Sequence, residues 1–192
     1  MTGYQGGMHI TTFLDRKLSR RFETYDSDQD GYVNRADFEL AASRTTAAFG
    51  LSENDRTARR FHEHLLGVWD HLSAMTDTND DGRISVDEYK AAFAKGLLER
   101  PEAFDDVYVP YLDALMAVAD QDGDGQLGVD EYMRWTTAWI SLPEADARAV
   151  HARLDHDGDG LIGTEDLLAA IRAYYFSEDL DGPGAWLLGP LD

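Results

Sequence analysis

The sequence predicts an all-α fold: a compact globule of about eight helices in two lobes, with short antiparallel ladders joining its loops in pairs. Three observations lead there. Apolar residues recur at helical spacing through most of the chain. Four 12-residue acidic windows of one design interrupt that pattern, at Asp26–Asp37, Asp77–Glu88, Asp120–Glu131 and Asp155–Asp166. Each window has Gly at its sixth place and an aliphatic residue two places later, the signature of loops that pair edge to edge.

The helices follow from the flanks of the windows. Leu18, Phe22 and Tyr25 precede the first, and Phe38, Ala41 and Ala42 follow it. The second has the least regular approach: Trp69 and Leu72 fit, but Ser73 and Thr76 occupy places that are apolar elsewhere. Leu112, Leu115, Met116 and Ala119 lead into the third, and Tyr132, Trp135 and Trp139 leave it. Val150 and Leu154 precede the fourth, with Leu167, Ile171 and Tyr174 after it. With 43% apolar and 11% aromatic residues, 192 residues suffice for one sizeable core. The expected layout is one structural unit with a flexible start (1–8), a first loop pair (9–97), a second pair (98–176) and a tail (177–192) that packs back on the globule.

Charge narrows the function. Seventeen basic against 37 acidic residues give −20, the wrong sign for nucleic acid or an anionic membrane surface. The acid is clustered: the four windows hold 19 of the 37 carboxylates and only two bases, Arg35 and Arg83. The acidity therefore belongs to the loops.

The spacing has a chemical reason. A hard divalent cation such as Ca²⁺ takes six to eight oxygens at about 2.3–2.6 Å. Places 1, 3 and 5 supply side-chain oxygens: Asp26, Asp28 and Asp30; Asp77, Asn79 and Asp81; Asp120, Asp122 and Asp124; Asp155, Asp157 and Asp159. Place 6 requires a sharp turn, and Gly31, Gly82, Gly125 and Gly160 allow it. Place 7 coordinates through its carbonyl, so Tyr32, Arg83, Gln126 and Leu161 differ freely. Turns alone explain one Asp/Gly-rich stretch, but not four complete loops between helical flanks. The windows are EF-hands, and up to four Ca²⁺ are expected.

Place 12 normally carries Glu, whose reach brings both carboxylate oxygens to Ca²⁺. Glu88 and Glu131 meet that pattern, whereas Asp37 and Asp166 are one methylene shorter. A single oxygen there lowers the coordination number toward the octahedral preference of Mg²⁺, so loops 1 and 4 are expected to be weaker for Ca²⁺ or to carry Mg²⁺. Gly128 and Gly163 at place 9 imply a water at that vertex in loops 3 and 4.

Several other chemistries are excluded. Without Cys there are no disulfides, thiolate zinc sites or Cys nucleophiles. No G-x-S-x-G, phosphate-cradling loop or H-E-x-x-H occurs, and an enzyme is not expected. His62, His64 and His71 make no zinc set, His156 points outward, and Arg56, Arg59 and Arg60 read as a solvated helix face or an internal partner for the acidic loops. No apolar run spans a bilayer and the start lacks a secretory pattern, so the cytoplasm is the expected compartment. Metal ions are the expected partners; no protein target is legible, and a monomer is expected. Few Met lie in the loop-bearing region (Met75, Met116, Met133), which favours a buffer over a sensor that opens a Met-rich groove.

The loop starts are separated by 51, 43 and 35 residues, with an extra stretch near Ala47–Arg60. That layout, together with Leu14–Gly31 and Tyr174–Asp192, resembles the sarcoplasmic calcium-binding protein group, and within it the calerythrin-like actinobacterial type. Arg outnumbering Lys 14 to 3 suits a GC-rich bacterial genome. The resemblance implies a cytosolic calcium buffer or sensor, with a second loop that in much of the group does not bind. Here the second loop keeps Asp77, Asn79, Asp81 and Glu88. Calcium-triggered photoproteins share the fold and hold a luciferin in a central cavity. Trp135 and Trp139, four apart on one helix, read instead as core, and no His–Tyr–Trp set stands near the C-terminus.

Overall fold

The computed structural model describes residues 11–95 and 104–191. The flexible start expected over 1–8 and the expected lobe junction at 97/98 lie outside them.

Helix α1 (Thr12–Tyr25) starts where Thr11 Oγ1 accepts the Leu14 N–H at 3.2 Å. Loop 1 leads through strand β1 (Val33–Asn34) into α2 (Arg35–Ala48). After a turn, Asp55 caps α3 (Arg56–Thr76) by accepting the Thr57 N–H at 2.7 Å. Loop 2 carries β2 (Arg83–Ile84) and opens α4 (Val86–Lys95). The second half repeats the plan: α5 (Phe104–Ala119), β3 (Leu127–Gly128), α6 (Val129–Ile140), α7 (Glu144–Leu154), β4 (Leu161–Ile162) and α8 (Thr164–Phe176). Arg56, Arg59 and Arg60 on α3 are exposed.

The doubt about the approach to loop 2 resolves locally. Helix α3 stays regular through Thr76, which is buried because its hydroxyl donates to the Leu72 carbonyl of its own helix at 2.9 Å. A ninth helix among the described residues, α9 (Pro183–Trp186), stands in the tail, where periodicity over so few residues gives no signal.

The loops join as expected. Val33 opposes Ile84 and Leu127 opposes Ile162 in two antiparallel ladders, and all four side chains have no solvent exposure. Each ladder therefore satisfies backbone groups and delivers two aliphatic side chains to the core.

One core runs through both halves. Helix α3 packs on α5, and α2 on α6. Phe93 of the first half stacks on Tyr175 of the second at 4.9 Å between ring centroids, and Phe61 meets Tyr111 at 6.3 Å. Trp135 and Trp139 stack at 5.6 Å and are buried.

The tail is tied to α1. Lys17 Nζ donates to the Ser177 carbonyl at 2.6 Å and Arg20 Nε to the Leu188 carbonyl at 3.1 Å. The Tyr174 hydroxyl donates to the Lys17 carbonyl. Leu187 and Leu188 are buried, and the Arg153 guanidinium lies 3.9 Å from the centroid of the Trp186 ring. Helix α9 approaches α8 so closely that a Cβ on Gly184 would lie 2.3 Å from the Ala173 carbonyl carbon.

Candidate metal centres

Each loop is shaped by backbone N–H groups donating to its own side chains, with one scheme repeated four times. The carboxylate at place 1 accepts the N–H of the place-6 glycine: Asp26 from Gly31, Asp77 from Gly82, Asp120 from Gly125 and Asp155 from Gly160, each at 2.9 Å. The side chain at place 3 accepts the N–H of place 5, at 3.2 Å for Asp28, 2.9 Å for Asn79, 3.2 Å for Asp122 and 3.3 Å for Asp157. The carboxylate at place 5 accepts the N–H of place 7: Asp30 from Tyr32, Asp81 from Arg83, Asp124 from Gln126 and Asp159 from Leu161, all at 2.8–2.9 Å. At place 1 the second oxygen accepts as well, from Asp30, Asp81, Gly123 and Gly158 in loops 1 to 4, so backbone N–H groups hold the loop side chains in a ring.

The glycines at place 6 have φ of +87°, +76°, +85° and +83°, as the turn demands. Sequence reasoning missed that place 4 is left-handed too. Gly123 and Gly158 stand there in loops 3 and 4, but Gln29 (φ +61°) and Asp80 (φ +58°) adopt it in loops 1 and 2. The recurrence of Gly at place 4 in half the windows was the available signal. A side chain in that conformation costs roughly 1–2 kcal/mol relative to the right-handed one.

Three loops bring carboxylates together. Ligand-type oxygens of Asp26, Asp28 and Asp37, of Asp120, Asp122 and Glu131, and of Asp155, Asp157 and Asp159 each fall within 4.8 Å of one another. Such a spacing fits one cation among oxygen donors, and oxygen-only donor sets suit Ca²⁺ or Mg²⁺. Loop 2 has Asn79 at place 3, and no such set of three acids forms there among the described residues. Its Glu88 is held by Ser85, whose backbone N–H donates to it at 3.0 Å and whose hydroxyl donates at 2.7 Å, and by the Thr78 hydroxyl at 3.1 Å. Those Ser85 bonds keep the Glu88 carboxyl below its ordinary pKa.

Place 12 separates loops 1 and 4, which the sequence had paired. Asp37 accepts the Ser27 N–H at 2.9 Å on one oxygen and the Asn34 N–H at 2.8 Å on the other, so it closes loop 1 while capping α2. It is buried, and burial raises its pKa against the pull of the Asn34, Asp28 and Ser27 N–H groups. Glu131 closes loop 3 likewise, accepting from Gln121 at 2.7 Å and Gly128 at 3.0 Å. Asp166 accepts the Gly163 N–H at 2.9 Å and stays outside the acid set of its own loop. Asp155 loses solvent, which works to raise its pKa, yet the N–H groups of Gly160, Gly158 and Asp159 bring it below the usual carboxylate range.

At place 7 the Arg83 guanidinium lies over the Tyr32 ring at 4.8 Å, across the ladder. That pairing turns both side chains toward one another. His156 is exposed.

Comparison with known proteins agrees with this geometry. A family model for an EF-hand domain pair matches residues 15–94, and a second EF-hand pair model matches 111–137. Calerythrin of Saccharopolyspora erythraea is 28% identical over 167 residues, covering 86% of this chain and 94% of that protein. A sarcoplasmic calcium-binding protein of Scylla paramamosain is 35% identical over 69 residues, 35% of this chain and 36% of its own length. The solved structure of a Streptomyces coelicolor calcium-binding protein, described as a basis for prokaryotic calcium-mediated regulation, superposes with a TM-score of 0.77. It is 33% identical and covers 84% of this chain and 97% of its own. Four loops of one hydrogen-bond scheme, paired by two ladders around a shared core, place the chain in the calerythrin- and sarcoplasmic-calcium-binding-protein-like group of calcium-binding EF-hand proteins.

Proposed function

We propose that this protein is an intracellular Ca²⁺ buffer in which Mg²⁺ competes for part of the sites. The ligands are the side chains at places 1, 3, 5 and 12 of each loop, with the carbonyls of Tyr32, Arg83, Gln126 and Leu161. The observation that carries this reading is the gathering of acid oxygens within 4.8 Å in loops 1, 3 and 4. Loop 4, whose Asp166 stands apart, is a weaker Ca²⁺ site than loops 1 and 3 and the principal Mg²⁺ site. In loop 1 the same short Asp already reaches across the loop.

Buffering rather than sensing is supported by the shared core. A sensor opens a groove on binding Ca²⁺, which requires each lobe to part from its neighbours. Here Phe93–Tyr175 and Phe61–Tyr111 join the halves, and Lys17 and Arg20 bind the tail. The sensor is the second reading, favoured by the regulatory role described for the Streptomyces relative. A luciferin-binding photoprotein finds no support in the narrow space beside Trp135 and Trp139, which admits the centre of a water-sized sphere over about 20 Å³.

Calorimetric Ca²⁺ titration with and without millimolar Mg²⁺ tests the proposal. Mg²⁺ occupancy with weakened Ca²⁺ binding is expected. Micromolar, cooperative binding indifferent to Mg²⁺, with Ca²⁺-dependent dye binding, would establish the sensor instead.

A further inference from the structure

The aromatic core encloses a charge that the calcium sites do not use. Arg21, on the inner face of α1, is 5% exposed. Its guanidinium carbon lies 4.5 Å from the centroid of the Tyr25 ring and 5.4 Å from that of Trp139. Among the described residues it forms no ion pair, and its Nε has no hydrogen-bond partner. Ring faces offset part of the cost of burying a cation, but they do not neutralise it.

No phenolate takes the role of counter-ion. Burial drives the pKa values of the neighbouring Tyr89, Tyr108, Tyr111 and Tyr175 well above that of free phenol, so at neutral pH all four are uncharged. Arginine does not relieve the cost by losing its proton.

Arg21 lines a narrow, partly open cavity with Tyr111, Tyr132, Trp135, Trp139 and Leu187. Three further polar groups of that wall are buried and make no well-formed hydrogen bond: the Tyr132 hydroxyl, and the Tyr111 hydroxyl and Trp135 indole Nε1, which have only one another in reach. Arg and Trp donate only, and the two hydroxyls are free to donate as well. Four buried polar groups, one of them cationic and none with a well-formed hydrogen bond, thus stand in the wall of one space. That space admits the centre of a water-sized sphere over about 20 Å³. A single water needs roughly 10–15 Å³ by that measure, so the cavity takes one sphere of water or halide size and nothing as large as a carboxylic acid.

We propose that this cavity is a site for one small monovalent anion of halide size, held by Arg21 with the Tyr111, Tyr132 and Trp135 donors. Water would satisfy the hydrogen bonds but leave the charge; a halide meets both needs. The site is independent of the calcium reading, yet it is coupled to the loops by position. Helix α1 ends at Tyr25, next to Asp26, and α6, which carries Tyr132, Trp135 and Trp139, contains Glu131. A chain of net charge −20 opposes an entering anion, and divalent cations in the loops reduce that opposition. Anion affinity therefore rises when the loops are filled, and by reciprocity the anion tightens cation binding.

The test uses the full chain, in chelator and again with Ca²⁺. Crystals grown in sodium bromide should show an anomalous peak in the cavity beside Arg21. The melting temperature should rise by a few degrees, saturably, in sodium chloride relative to sodium gluconate at equal ionic strength. Arg21→Met should abolish that difference. If Arg21→Met does not fold, the bromide experiment on the wild type decides alone. An empty cavity or a water without anomalous signal overturns the proposal, as does a chloride response that survives in Arg21→Met. Because the chelator arm contains no Ca²⁺, failure of the anion site and failure of calcium binding are read separately.

Discussion

Asp37 reaches across loop 1 to accept the Ser27 N–H at 2.9 Å, a bond that closes the ring of acids on the first turn of α2. Asp166 occupies the same place in loop 4 and binds only within its own helix start, at Gly163. Two identical side chains at identical loop positions therefore have different relations to the acids they are meant to join.

That difference predicts unequal mutants. Asp166→Glu, which restores the missing methylene, should tighten loop 4 for Ca²⁺ about tenfold, or roughly 1.4 kcal/mol, and reduce Mg²⁺ competition. Asp37→Ala should remove loop 1 binding and also weaken α2, since the same carboxylate caps it. Site-resolved NMR titration of the two variants provides the comparison. Equal gains from Asp37→Glu and Asp166→Glu would contradict the distinction.

Filling the loops should stabilise the fold. Acids held within 4.8 Å of one another repel until a cation joins them, and binding energy adds to folding energy. The melting temperature should rise on adding Ca²⁺ and fall with chelator. Glu131→Gln should lower the rise by removing one charged oxygen from loop 3. An unchanged melting temperature in the wild type would rule out the proposed function.

Gly184→Ala tests the tail. The new methyl would meet the α8 backbone at 2.3 Å, so α9 must move away. We expect a loss of about 1–3 kcal/mol and greater exposure of Leu187 and Leu188, read by urea unfolding and by limited proteolysis.

Alkaline pH should unfold the protein. Burial raises the pKa values of Tyr89, Tyr108, Tyr111, Tyr132, Tyr174 and Tyr175 above the ordinary 10.0. The folded state keeps protons that the unfolded chain releases, so stability is intact below about pH 10 and falls as pH rises beyond it. Lys17 works in the opposite sense. Desolvation lowers its pKa despite Glu178, so its contribution to stability rises as pH climbs toward the unfolded value of 10.5. One lysine does not offset six tyrosines. Tyrosinate absorbance should appear together with loss of helical circular dichroism; ionisation of these tyrosines in a still-folded protein would refute the prediction.

The loops were legible because their information is local. Twelve residues contain the whole pattern of carboxylates and glycine, and the aliphatic residue at place 8 specified the pairing that Val33–Ile84 and Leu127–Ile162 adopt. Thr76 looked irregular only because a hydroxyl that bonds to its own helix is indistinguishable, in sequence, from one that faces water. The left-handed Gln29 and Asp80 were likewise hidden, since tertiary and loop bonds impose a conformation their side chains do not favour.

Lys17 and Arg21 mark the boundary. They flank the apolar stripe Leu14, Leu18, Phe22 and Tyr25 on α1, and by residue type they read as its solvent edge. The sequence alone determined the helical class and the four acid-rich loops, because these depend on spacing within one turn or one loop. Tertiary structure decided that both cations are buried, that Asp37 and Asp166 differ, and that a donor-lined cavity lies between the halves. Those outcomes depend on which distant helices close over each residue, and no local periodicity encodes that closure.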